Sequence, residues 1–76
     1  KREGGSAHSV TAPLPGVIME VKVKPGDIIN KGELMMVMEA MKMENQVLAD
    51  RNGVIESVKV AKGDSVLQGD VLLEII

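Results

Sequence analysis

One stretch near the middle of the chain, Glu39-Ala40-Met41-Lys42-Met43, holds the most reactive set of side chains. Here one primary amine stands between two thioethers, with a carboxylate three positions before it and another, Glu44, two positions after. An amine can be acylated, but a free lysine side chain at pH 7 is neutral and nucleophilic only about four times in ten thousand. The flanking sequence offers neither a second cation nor an evident apolar pocket to activate it, so an activated acyl donor must come from outside. The remainder of the chain adds no chemistry of its own. There is no cysteine, and His8, the only histidine, has no second ligand at metal spacing. No catalytic dyad or phosphate loop can be found. The sequence describes an amine to be presented, not a catalytic centre.

The segments on either side of this amine are extended. The apolar run Leu34-Met35-Met36-Val37-Met38 leads in and Glu44-Asn45-Gln46-Val47-Leu48-Ala49 leads out. Two strand-like runs joined so tightly predict a β-hairpin with Lys42 at or beside its tip. Two-residue hairpin turns of the favoured kind need φ > 0, usually met by Gly or Asn, and neither is present. The turn is expected to be strained and held by the flanking strands.

The hairpin sits inside a repeat. Gly16-Val17-Ile18-Met19-Glu20-Val21-Lys22-Val23-Lys24-Pro25-Gly26-Asp27 lies over Gly53-Val54-Ile55-Glu56-Ser57-Val58-Lys59-Val60-Ala61-Lys62-Gly63-Asp64 without a gap, at an offset of 37. Over thirty aligned pairs from Val10 onward eleven are identical, more than shared strand composition would give. Each copy carries about four strand-like runs and is too thin to bury its own apolar face. The predicted fold is all-β: a small sandwich or flattened barrel of about eight short antiparallel strands, its halves related by a pseudo-twofold axis. No stretch keeps a helical period for three turns.

The repeat also sorts strand faces. Val37 lies over Glu74, and a carboxylate is seldom buried unpaired, so that parity is expected to face water. Leu34, Met36 and Met38, with Val71, Leu73 and Ile75, then face the core. Ile18 and Val21 are both apolar yet of opposite parity, as are Ile55 and Val58, which predicts a bulge near Met19-Glu20 and another near Glu56-Ser57. By the same offset Lys42 falls opposite Gly5, so the amine projects from one end of the domain and the chain's anchor lies at the other.

Composition bounds the rest. A chain of 76 residues makes one domain, and without cysteines or aromatic residues its core must come from Val, Ile, Leu, Met and Ala. A net charge of −2 and the lack of aromatic stacking surface argue against nucleic-acid binding. The longest apolar run is too short to span a bilayer and no secretory signal opens the chain, so direct membrane insertion is not expected. The missing cysteines fit a reducing, cytoplasmic compartment. Residues 1–9 are small, polar and glycine-containing, which reads as a flexible linker end, with His8 a solvated tail residue and the domain proper at 10–76. Such a linker suits the terminal piece of a longer polypeptide.

Ala40-Met41-Lys42-Met43, the Gly-Asp turns at Gly26-Asp27 and Gly63-Asp64, and the lead-in Ala12-Pro13-Leu14-Pro15-Gly16 together resemble the biotinyl domains, the carboxyl carriers of biotin-dependent carboxylases and decarboxylases. The resemblance covers Val10 to Ile76. It implies biotin in amide linkage on Lys42, with Glu39, Ala40, Met41 and Met43 read by a biotin protein ligase. It further implies partner subunits or domains, a biotin carboxylase and a carboxyltransferase or decarboxylase, between which a carboxyl group is shuttled while the domain itself catalyses nothing. The lead-in is closer to carriers of propionyl-CoA, pyruvate, oxaloacetate and methylmalonyl-CoA enzymes than to the bacterial acetyl-CoA carboxylase type, whose extra thumb has no room in the ungapped repeat. Two rivals share the fold: a lipoyl carrier domain, which usually shows Asp before the lysine and Ala or Val after it, and a non-carrier lipoyl-like barrel.

Overall fold

The computed structural model describes residues 7–76. The described residues form eight strands: β1 (His8–Thr11), β2 (Gly16–Val21), β3 (Ile28–Ile29), β4 (Leu34–Ala40), β5 (Met43–Leu48), β6 (Gly53–Val58), β7 (Ser65–Val66) and β8 (Val71–Ile75). All pairings are antiparallel, in two four-stranded sheets of order β1-β8-β6-β3 and β5-β4-β2-β7. Shifting one sheet's strands by the sequence offset gives the other sheet. Ile18 pairs with Met38 as Ile55 pairs with Ile75, and Gly16 with Val66 as Ile29 with Gly53. The halves do not stack one on the other, however. Each sheet takes two strands from each copy, so neither copy exists as a separate layer.

Both expected bulges are present. The register slips between Ile18 and Glu20 on β2 and between Ile55 and Ser57 on β6, leaving Met19 and Glu56 as the extra residues. Ile18 and Ile55 are thereby buried while Val21 and Val58 still reach the core margin. A second matched pair of slips, at Met35 on β4 and Leu72 on β8, turns two consecutive side chains inward on each of those strands.

Four turns repeat a single device. Gly26, Gly32, Gly63 and Gly69 all have φ near +90°, as position i+2 of a type II turn requires. The acidic residue that follows returns its side chain to the start of the turn: Asp27 Oδ2 accepts the Lys24 N–H at 3.0 Å, Asp64 Oδ2 that of Ala61 at 2.8 Å, and Asp70 Oδ2 that of Leu67 at 2.9 Å. Glu33 does the same for Asn30. The turns also bind the halves together, since the Ile18 N–H donates to the Asp64 carbonyl and the Ile55 N–H to that of Asp27.

Three expectations are corrected. Val37 is buried, 7% exposed, not water-facing. It lies on the central strand β4 between Glu20 on β2 and Gln46 on β5, and side chains directly across from it on both sides shelter it. Its counterpart Glu74 is half-buried and is not unpaired, accepting from the hydroxyls of Ser57 at 3.1 Å and Ser9 at 3.4 Å. His8 and Ser9 are not tail residues: they open β1 and pair with Ile75 and Glu74. Pairing with β8 outweighs their tail-like composition, and His8 Nε2 meets Asp50 Oδ2 at 3.1 Å. The rest of the expected linker, Gly5 included, lies outside the described residues. β1 runs toward the hairpin end, where residues 12–15 join it to Gly16, so His8 and its partner Ile75 sit at the far end from Lys42.

Candidate functional site

β4 and β5 pair from Leu34↔Leu48 to Ala40↔Met43, and only Met41 and Lys42 lie between. Both have positive φ, 54° and 63°. A two-residue turn with φ > 0 at both positions matches the right-handed twist of its strands, but for residues other than Gly, Asn or Asp it costs roughly 1–2 kcal/mol each. The expected strain is therefore present at both turn residues, one of them the lysine.

What opposes the strain is the sheet beneath. Ala40 is buried, 3% exposed, and anchors the base of the turn in the core beside Met38. β2 lies against β4 on the other side, with Val17 opposite Glu39. Gly16, next along, faces the Glu39 carbonyl so closely that a Cβ there would overlap the oxygen. The lack of a side chain at Gly16 thus lets β2 press against the root of the hairpin. On β5, Asn45 Nδ2 donates to the Met43 carbonyl at 3.1 Å.

The residues singled out from the sequence are brought together with distinct placements. Met41 and Met43 are 78% and 66% exposed and flank the amine as apolar surface. Glu39 is exposed and lies directly opposite Glu44. Ala40, being buried, is not a surface a partner can touch. Lys42 is exposed and makes no ion pair with another described residue. Sequence reasoning missed Gly16 and Asn45 as supports of the turn. The glycine's place in the repeat, over Gly53, was the available signal; nothing in the sequence marked the asparagine.

Shifted ionisations occur away from the hairpin. The Lys22 ammonium, at 3.0 Å, holds the Glu20 carboxyl below the usual range. The Lys24 backbone N–H and then its side chain do the same for Asp27, and Arg51 for Asp50. The described residues form no pocket and no group of ligands able to hold a metal. No helix among them is long and apolar enough to cross a membrane. Chemically, the arrangement can present a primary amine on a protrusion, without an ion pair to the described residues and reachable by a partner's cleft. A carboxylic acid in amide linkage fits such a site, because the attached group would extend into solvent and displace nothing.

Comparison with known proteins agrees with this reading. The family model described as "Biotin-requiring enzyme" (Biotin_lipoyl) matches residues 8–75. The gamma subunit of glutaconyl-CoA decarboxylase from Acidaminococcus fermentans is 48% identical over 40 residues, 53% of this chain and 28% of the subunit. In structure, a single-chain, multi-domain long-chain acyl-CoA carboxylase superposes over 97% of this chain and 8% of its own, with a TM-score of 0.85 and 30% identity. The lipoyl domain of the 2-oxoglutarate dehydrogenase complex from Azotobacter vinelandii superposes over 90% of this chain and 94% of its own, with a TM-score of 0.79 and 30% identity. This chain therefore spans only a small part of the decarboxylase subunit and of the carboxylase.

Proposed function

The chain belongs to the family of biotin-requiring enzymes, and from that premise we propose that it is a biotin carboxyl carrier domain that holds biotin on Lys42. The observation that carries the reading is the turn: an exposed lysine at positive φ, set between two exposed methionines on a protrusion whose base is buried. Attachment forms one amide bond between Lys42 Nζ and the biotin carboxyl carbon. The bond broken is the carboxyl–phosphate bond of an acyl-adenylate made by a biotin protein ligase. AMP leaves with the bonding pair, and the amine's proton passes to the ligase or to water.

Biotin so attached supplies a ureido nitrogen able to accept a carboxyl group at one active site and release it at another. The chain's own residues do the positioning. Ala40 seats the turn, Met41 and Met43 offer the apolar contact by which a ligase distinguishes this lysine, and Glu39 lies on the exposed strand beside it. Anchorage to a parent complex raises the local concentration of the cargo at both active sites to about the millimolar range. The partners are then a biotin carboxylase and a carboxyltransferase or decarboxylase. The decarboxylase and carboxylase relatives favour an acyl-CoA substrate for the whole complex.

The similarity to a lipoyl domain supports one competing reading, lipoate on the same lysine. Met41 and Met43 argue against it, since lipoyl carriers usually have Asp and Ala or Val in those places. Co-expression with a biotin protein ligase, or separately with a lipoate ligase, followed by intact-mass measurement separates the two. A gain of one biotinyl group with the first enzyme and none with the second is expected; the reverse pattern would make the domain a lipoyl carrier.

A further inference from the structure

The Met41-Lys42 turn is held in a conformation that neither residue favours, and no glycine or asparagine relieves it. One side chain reaches in to help hold it. The bond from Asn45 Nδ2 to the Met43 carbonyl is the one side-chain hydrogen bond made by any residue from 34 to 48 among the described residues. Packing does not account for an amide in this place. Asn45 shares its strand parity with Val47, a core residue, and is itself half-buried, a position that an aliphatic side chain would ordinarily fill. Nor does the shared fold dictate the bond. The repeat counterpart of Asn45 is His8, which turns its polar group away to Asp50.

We propose that Asn45 is a positioning residue for acylation of Lys42, an inference that rests on the reading of Lys42 as the biotin site. Its amide fixes the Met43 carbonyl at the last rung, Ala40↔Met43, and so raises the fraction of molecules in which the turn presents the lysine in one conformation. A hydrogen bond of ordinary strength biases such an equilibrium about fivefold, and a substrate whose competent form is depleted shows a correspondingly weaker apparent affinity. Loss of the amide therefore raises the KM of the domain for its ligase by about two- to fivefold and leaves kcat unchanged, because the lysine is the same once it is seated.

The test uses Asn45→Leu, which keeps the shape without the donor, and Asn45→Asp, which loses the donor at pH 7. Each is measured as the varied substrate of a biotin protein ligase at physiological salt. In parallel, the strong intraresidue amide-to-Hα NOE that positive φ produces is followed at Met41 and Lys42. The expected result is a raised KM, an unchanged kcat and weakened NOEs in both variants, with the thermal midpoint within a few degrees of the parent. An unchanged KM with intact NOEs in either folded variant overturns the proposal. So does a loss of rate that merely follows the unfolded fraction. Should the parent domain take no biotin at all, the Lys42 reading fails separately and the NOEs decide Asn45: weakened they support its positioning role, intact they refute it.

Discussion

Replacing Gly16 with alanine tests how the scaffold holds the hairpin. An ideal Cβ at Gly16 would overlap the Glu39 carbonyl oxygen and lie 3.0 Å from Met38 Cε and 3.1 Å from the Glu39 carbonyl carbon. The methionine methyl can swing aside, but the carbonyl is backbone and cannot. Restoring ordinary contact distances requires β2 and β4 to part by about 1 Å. β2 is held on its other edge by β7, at Gly16↔Val66 and Val17↔Ser65, so the displacement loosens two ladders. Overpacking of this kind costs about 2–3 kcal/mol, against a total of about 4–11 kcal/mol for a domain of this length. The thermal midpoint should drop by about 10–20 °C, followed by circular dichroism, and the amide resonances of residues 39–43 should shift. Gly53→Ala is the internal control. Its Cβ would meet Ile75 Cγ2, a buried core group, at 2.5 Å and the Ile76 carbonyl, which accepts the Val54 N–H, at 2.7 Å. It should cost a comparable amount yet leave the hairpin resonances unmoved, because Gly53 pairs at the end of the fold away from Lys42. A midpoint for Gly16→Ala within about 2 °C of the parent, or equal shifts of the residue 39–43 resonances in Gly53→Ala, would refute the close approach of β2 to the root of the hairpin.

Other perturbations have equally definite outcomes. Met41→Gly removes a left-handed penalty of about 1–2 kcal/mol at the cost of about 0.5–1 kcal/mol of backbone entropy, so urea unfolding should show a gain of roughly 0.5–1 kcal/mol while biotinylation slows; a loss of stability would mean the turn is unstrained. Deleting Met19 removes the extra residue of the β2 bulge and leaves Ile18 and Val21 two positions apart in a regular ladder, still opposite Met38 and Met36, so both stay inward and a cooperative urea transition should remain; loss of cooperative unfolding would contradict the face assignment. The carboxyls of Glu20, Asp27 and Asp50 are all held below their ordinary values in the fold. Their stabilising contribution is therefore full above the unfolded-state values near pH 4 and is lost as pH falls through the depressed folded values. Urea midpoints should be level from about pH 7 to 5 and fall below about pH 4. Asp27→Asn, whose amide oxygen still accepts the Lys24 N–H, should flatten that fall; an unchanged acid slope would remove Asp27 from the explanation.

Most of the fold was legible because the chain states its pattern twice. The opposite parities of Ile18 and Val21 meant little alone, but recurring at Ile55 and Val58 they marked a bulge in each half, and each half has one. The hairpin was equally plain, since seven residues of strand lead in and only two residues separate it from the next strand. What stayed hidden depends on neighbours that no local window contains. Met35 is buried against its parity because a second bulge rotates it inward, and a run of Leu and Met gives no sign of where such a slip falls. Val37 is covered by residues from β2 and β5, on either side of β4. His8 and Ser9 look like linker until β8 arrives, more than sixty residues later, to pair with them. The exchange of strands between halves is likewise a property of pairing, and repeated sequence is compatible with either arrangement. At the site, the lysine and its methionines announced themselves by type, whereas Asn45 did not, because an asparagine on a strand acquires meaning only from the carbonyl it reaches.

The carrier role proposed for this turn stands or falls on biotin at Lys42. Its most direct test is fragmentation mass spectrometry of the protein purified from its native source, with the modified residue located within the peptide spanning Glu39 to Glu44. One biotinyl group on Lys42 and none on any other lysine is the expected result. An unmodified Lys42 in folded protein, a lipoyl group in place of biotin, or biotin on a different lysine would contradict it.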